Sequence, residues 1–271
     1  MQKILKYTAI LFCITAQLLF LSRPAHAQAI TFDDSPTDLI RLGNPFYEIG
    51  FHKTDGGIAY ITDKATGQHI SEATRFDCLW SVTSTVFYGN ACSYGGKSSN
   101  TFAYHWSVAS HTLTFTYTPP PTERQALAVQ VNIQATDEHA VDLQLQIENK
   151  GSGVIDGVRF PADLRFPEAE IQQALLPLLP GVVVTSAFFA QQRSYTNFYP
   201  GNLFADFLAL TLKTGQFALY LHAGQEPVQP LLLGLQHDSS AVDASTMLVH
   251  RFTVQLAPHT IWTSPFVRLR T

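Results

Sequence analysis

The sequence predicts an all-β protein, a large antiparallel β-sandwich, and three observations carry that expectation. Period-2 alternation of apolar and polar residues recurs along the chain. Gly-, Asn- and Asp-bearing turn signals arrive every ten or so residues, and no long amphipathic helix interrupts them. Alternation at period 2 buries one face of a strand, and regularly spaced turns fold such strands back on one another.

Residues 42–70, LGNPFYEIGFHKTDGGIAYITDKATGQHI, read as three strands joined by two tight turns. Asp55-Gly56-Gly57 supplies a turn that tolerates positive φ, and the 63–67 segment ending at Gly67 turns the chain a second time. Residues 79–88 (LWSVTSTVFY) are β-branched and aromatic and read as a strand, and 89–100 (GNACSYGGKSSN) as a polar loop. Residues 102–108 and 112–118 form the next strand pair, which Pro119-Pro120-Pro121 stops. Residues 127–135 (LAVQVNIQA) and 141–148 (VDLQLQIE) are the cleanest alternating runs and predict an antiparallel hairpin with one buried face. Residues 168–179 have a helix-like composition limited to about two turns by Pro177 and Pro180. Residues 182–189 read as a strand, 191–202 as an aromatic loop, and five further strands follow, for about fourteen in all. Trp80, Trp106 and Trp262 stand singly in strand-like runs, where core or sheet-face packing is expected.

The first 27 residues are set aside from the fold. A basic start with Lys3 and Lys6, an apolar run over 7–21, and Ala25 and Ala27 at small-residue positions predict a secretory signal peptide cleaved after Ala27. An uncleaved N-terminal anchor is the alternative. Cys13 lacks the setting of a lipoprotein cleavage site. The expected domains are a signal peptide (1–27), an extended lead (28–41) and one β-sandwich (42–271), exported to the periplasm or beyond. Loss of Lys3, Lys6 and Arg23 takes the formal net charge from −4 to about −7. The exported part is mildly acidic with no basic run, which argues against nucleic acid as a partner. No second apolar run reaches membrane-spanning length, so no membrane association is expected after signal cleavage. Cys78 and Cys92 remain after processing and permit a disulfide in an oxidising compartment, with two separately buried thiols as the alternative.

Catalytic motifs are sparse. There is no Gly-x-Ser-x-Gly elbow and no paired-His metal motif, and no cofactor or metal is expected. Asp77, Asp156, Asp163, Asp206 and Glu226 are carboxylates on strands or loop edges, but sequence cannot pair them into the acid and base that glycoside hydrolysis needs. The segment RSYTNFYPGN, residues 193–202, interleaves aromatics with Arg and Asn. Aromatic faces stack on the CH surfaces of sugars, and Arg and Asn bond hydroxyls. Arg193, Tyr195, Phe198 and Tyr199 are therefore carbohydrate-contact candidates. The alternative is that these rings tuck under the sandwich edge.

The 42–49 and 56–67 stretches together resemble the opening of the N-terminal β-sandwich of large bacterial glycoside hydrolases related to endo-alpha-N-acetylgalactosaminidase, a domain similar in fold to the galactose mutarotase-like supersandwich. Asn149-Lys150-Gly151-Ser152-Gly153, then Phe160-Pro161, Tyr199-Pro200-Gly201, and the 215–222 strand ending at His222 fit the same order. The resemblance implies a carbohydrate-associated module that binds or scaffolds, with His222 as a further contact candidate. In such enzymes a catalytic barrel follows the sandwich. No alternating β/α units occur in this sequence, so no catalytic residue carries over. The expectation is an accessory module, or the N-terminal part of a longer glycoside hydrolase whose barrel domain would be its partner. A stand-alone mutarotase or lyase, and a structural envelope domain, are the alternatives.

Overall fold

The computed structural model describes residues 30–72, 78–84, 88–90, 101–120, 126–136, 138–162, 164–213, 218–224, 229–238 and 244–270, with the side chains of 68–72, 88–90 and 218–224 outside that description. The signal-like segment 1–27 and Cys92 lie outside the described residues.

Strands β1 (Thr31–Asp33), β2 (Leu39–Gly43), β3 (Tyr47–His52), β4 (Ile58–Asp63) and β5 (Gln68–Glu72) form a five-stranded antiparallel meander. The 28–41 lead thus supplies β1 and the start of β2. The chain continues through β6 (Ser81–Ser84), β7 (Tyr88–Asn90), β8 (Thr101–Ser107), β9 (Thr112–Thr118), β10 (Leu127–Ala135), β11 (Ala140–Asn149), β12 (Ile155–Arg159) and β13 (Arg165–Pro167). A 3-10 turn, Glu168–Glu170, leads into β14 (Ile171–Leu176) and β15 (Val182–Thr185), followed by the short helix α1 (Ser186–Ala190). The remaining strands are β16 (Tyr195–Tyr199), β17 (Phe207–Leu212), β18 (Ala218–Gly224), β19 (Leu231–Asp238), β20 (Ser245–Leu256), β21 (Ile261–Thr263) and β22 (Phe266–Arg270).

Two large antiparallel sheets make the sandwich. One runs β15-β14-β17-β18-β22-β11-β10-β9-β8, with β21 also on β11; the other runs β16-β19-β20-β12-β6-β7, with β13 also on β20. The β10–β11 hairpin keeps an unbroken register from Leu127↔Asn149 to Ala135↔Val141. Its alternation sets Val129, Val131 and Ile133 of β10 and Leu143, Leu145 and Ile147 of β11 into the core. The second sheet supplies Val158, Leu231, Leu233 and Phe252 to the same continuous cluster. Each such side chain contributes about 1.5–3 kcal/mol by leaving water. Among the described residues no helix is long and apolar enough to cross a membrane.

The meander docks through aromatics. Phe51 meets Phe115 edge-on at 5.3 Å, and Phe102 meets Phe115 at 5.2 Å. Gly56, at φ +72°, brings the β3–β4 turn so close that a Cβ there would lie 2.7 Å from the Tyr117 hydroxyl. That hydroxyl donates to the Asp55 carbonyl at 2.7 Å. Asn44 ties the other end: its Nδ2 donates to the carbonyls of Thr136 (2.8 Å) and Glu138 (2.7 Å), while its Oδ1 accepts from the N–H groups of Phe46 and Tyr47.

Three sequence expectations are corrected. Residues 168–179 are not helical beyond the 3-10 turn; β14 pairs with β17 and β15, and its buried Ile171, Ala174 and Leu176 face the core. Two turns of isolated helix are marginal, and sheet pairing on both edges outweighs helix propensity there. Residues 182–189 split into β15 and α1. The 191–202 loop contains β16, hydrogen-bonded to β19 in register from Tyr195↔Leu235 to Tyr199↔Leu231. The strand total among the described residues exceeds fourteen because several three-residue strands carry no alternation a sequence can display.

Candidate functional site

The aromatic segment forms the edge of the second sheet, and strand geometry divides its side chains between two faces. Tyr195, Asn197 and Tyr199 point one way and are half-buried, with both tyrosines packed against the core. Thr196 and Phe198 point the other way, and Phe198 is 50% exposed. Arg193 is exposed just before the strand. Asn197 Nδ2 donates to the Tyr195 hydroxyl at 3.1 Å, and its Oδ1 accepts from Asn202 Nδ2 at 3.1 Å. The Leu203 N–H bonds the Phe198 carbonyl, and the Phe204 N–H bonds that of Pro177, which brings exposed Phe204 and Leu179 onto chain segments beside Phe198. The predicted residues therefore separate into packing residues (Tyr195, Tyr199) and surface residues (Arg193, Phe198). His222 lies on β18, opposite Phe207 and Arg268, away from the β16 edge in the other sheet; its side chain is outside the described residues.

Of the carboxylate candidates only Asp156 and Asp206 are described, Asp206 lying half-buried just before β17. Asp77, Asp163 and Glu226 lie outside the described residues. Asp156 accepts from Thr83 at 3.0 Å and faces Arg251 at 3.6 Å, a structural arrangement across β6, β12 and β20. Cys78 is buried and disulfide-bonded.

A different carboxylate occupies a cleft that sequence reasoning missed. Glu168 opens the 3-10 turn after β13 and is buried, its side chain 5% exposed. Its Oε1 accepts from Thr246 Oγ1 at 2.8 Å and lies 2.8 Å from His237 Nδ1. A carboxylate oxygen only accepts, so Nδ1 of His237 carries the hydrogen. The three residues meet because β20 runs between β19 and β13: Thr246 is opposite His237 on one side and Phe166 on the other. Across the same strand Arg165 and Asp238 form a largely buried ion pair. The His237 N–H donates to Ser194 Oγ at 2.9 Å, linking this cluster to the residues that lead into β16.

Glu168 lines a cleft of about 450 Å³ under α1. Ser186, Gln192 and Lys213 add polar groups to its walls. The rest is small: Ala169, Ala187, Ala190 and Ala244. Among the described residues no group of three His, Cys, Asp or Glu side chains is disposed to hold a metal ion. The only sequence signals for this site were an isolated Glu and one of ten scattered His residues, 69 positions apart.

No protein-family model matches the chain, and no curated protein matches it in sequence. Solved structures do match in fold. A galactose mutarotase related enzyme from Lactobacillus acidophilus superposes with a TM-score of 0.55 at 10% identity, over 86% of this chain and 97% of that one. An alpha-N-acetylgalactosaminidase from Bifidobacterium bifidum, solved with GalNAc, gives 0.60 at 14% identity, over 85% of this chain and 35% of its own. A GH36 alpha-galactosidase from Geobacillus stearothermophilus gives 0.53 at 12%, over 89% and 40%. The chain thus spans nearly all of the first protein and well under half of each glycosidase. It folds as a galactose mutarotase-like β-sandwich, an architecture it shares with part of each of those two enzymes.

Proposed function

We propose that this protein is an exported, carbohydrate-associated β-sandwich module of glycoside-hydrolase type that binds sugar rather than cleaving it by itself. The observation that carries this reading is the outer side of the β16 edge. There Phe198 exposes half of its surface, with exposed Arg193 just before the strand and exposed Asn202 just after it. An exposed ring supplies a stacking platform for sugar CH groups, and amide and guanidinium groups supply hydroxyl partners. The fold shared with sugar-acting proteins supports the same class of ligand. In a longer chain the module would sit beside a catalytic domain. Export rests on the basic-apolar-small pattern of residues 1–27.

A glycan array with wild-type protein and Phe198→Ala tests the reading. The expected result is retention on a subset of oligosaccharides, weakened about tenfold or more by the substitution, the effect of losing about 1.4 kcal/mol of stacking. Retention on no glycan overturns the binding function, and retention indifferent to Phe198→Ala overturns the site. Mass spectrometry of the exported protein should find Gln28 as the first residue.

A further inference from the structure

We infer that the cleft under α1 is a second ligand site, distinct from the β16 edge, which takes one neutral saccharide unit through a pair of neighbouring hydroxyls anchored on Glu168. The class of ligand rests on the function proposed above; the site rests on its own geometry.

Glu168 is the central observation. Its side chain is 95% removed from solvent, and both of its side-chain hydrogen bonds fall on one oxygen, Oε1. Oε2 bonds nothing among the described residues and is the oxygen left for the cleft that Glu168 lines. That oxygen keeps contact with solvent, so it is open to a ligand hydroxyl, whose hydrogen bond to a charged group replaces one from water. Thr246 and His237 hold the carboxylate in one orientation, so little freedom is lost when a ligand binds.

Charge then narrows the ligand. Arg165 and Asp238 pair with each other, and neither lines the cleft. Among the described lining residues the charged ones are Glu168, a carboxylate, and Lys213, an ammonium. Such a pair sums to zero and favours a neutral ligand that both donates and accepts. A vicinal diol does both, donating to Glu168 Oε2 and accepting from Lys213, with the Gln192 amide and Ser186 hydroxyl as further partners. The size agrees: about 450 Å³ is within the range of small-molecule pockets, and the alanine walls leave that volume free.

The test is saturation-transfer NMR titration of the exported chain with D-galactose, D-glucose and D-mannose. The expected result is saturable one-site binding of at least one hexose in the millimolar range, about 1–10 mM. Ala190→Leu projects a larger side chain from exposed α1 into the cleft and should weaken that binding about tenfold or more. Glu168→Gln should weaken it similarly, as expected for a hydrogen bond to a charged group. Val108→Ser, in the exposed β8–β9 turn at the far end of the sheet from β14 and β15, should leave it unchanged. Absence of a saturable signal for all three hexoses, or wild-type affinity in Ala190→Leu, overturns the inference, whether or not Glu168→Gln folds. Failure of the glycan array with intact hexose binding defeats the edge-strand site alone. Array binding with no hexose binding defeats the cleft alone.

Discussion

Glu168 and His237, 69 residues apart in sequence, meet at 2.8 Å through Oε1 and Nδ1, with Thr246 on the same carboxylate oxygen. The arrangement holds the start of the 3-10 turn against β19 and β20. Removing the carboxylate leaves two buried donors without an acceptor, which costs more than the loss of one average hydrogen bond. Glu168→Ala should therefore destabilise the domain by about 2–3 kcal/mol in urea unfolding, whereas Glu168→Gln, which keeps an acceptor oxygen, should cost less than about 1 kcal/mol. A double-mutant cycle with His237→Ala should give a coupling of about 1–2 kcal/mol, and a coupling near zero would show that the pair contributes no stability.

Asn44 is the corresponding strut at the meander. Its amide is buried and makes four hydrogen bonds, two of them across to the β10–β11 turn. Asn44→Ala should cost about 3 kcal/mol, because the Phe46 and Tyr47 N–H groups lose their acceptor and two carbonyls lose their donor. Asn44→Asp is the sharper test. It keeps the acceptor for the two N–H groups but turns an oxygen toward the Thr136 and Glu138 carbonyls, so it should destabilise at least as much as alanine. Thermal melts at neutral pH would measure both.

The contrast between these two residues shows what a sequence can display. Asn44 sits in the strand-turn-strand stretch that announces the fold, and its neighbours Tyr47, Ile49 and Phe51 alternate inward as the sequence expects. The β10 and β11 strands are legible for the same reason: one face of each is buried and the other wet, so burial writes itself as period 2. Residues 171–176 carry no such alternation, and their strand arises from pairing on both edges, which their own composition does not record. Glu168 and His237 are legible from neither rule. Their meeting depends on β20 lying between two particular strands, a topological fact with no local signature. The division of 193–199 into packing and surface residues follows from a strand whose partner, β19, is more than thirty positions away.

The Gly56 turn gives a test of the meander's docking. Gly56 is at φ +72°, and a methyl group there would also lie 2.8 Å from Phe115 and 2.9 Å from Phe102. Gly56→Ala combines an unfavourable backbone region with overpacking and should cost about 2–4 kcal/mol. Tyr117→Phe removes only the hydroxyl bond to Asp55 and should cost about 1 kcal/mol. If Tyr117→Phe proves the more damaging of the two, close packing at this turn is not what positions the meander.

Tyrosine ionisation gives the domain an alkaline limit. The Tyr60 phenol is pushed up to about 12, first by burial and then by Glu48, whose Oε1 accepts its hydroxyl at 2.6 Å. Burial moves Tyr47 and Tyr117 in the same direction. An unfolded tyrosine releases its proton near pH 10, whereas the folded Tyr60 keeps it to about 12. Between those values the unfolded state binds fewer protons, so stability falls as pH rises through the window, and the stabilising contribution is complete only below about pH 10. Tyr60→Phe removes one titrating phenol without changing the ring. Urea unfolding of wild type and Tyr60→Phe at about pH 9 and about pH 11.5 should show a smaller alkaline loss in the variant. An equal loss in the two would mean that Tyr60 titrates alike in the folded and unfolded chains and that Glu48 does not hold its proton.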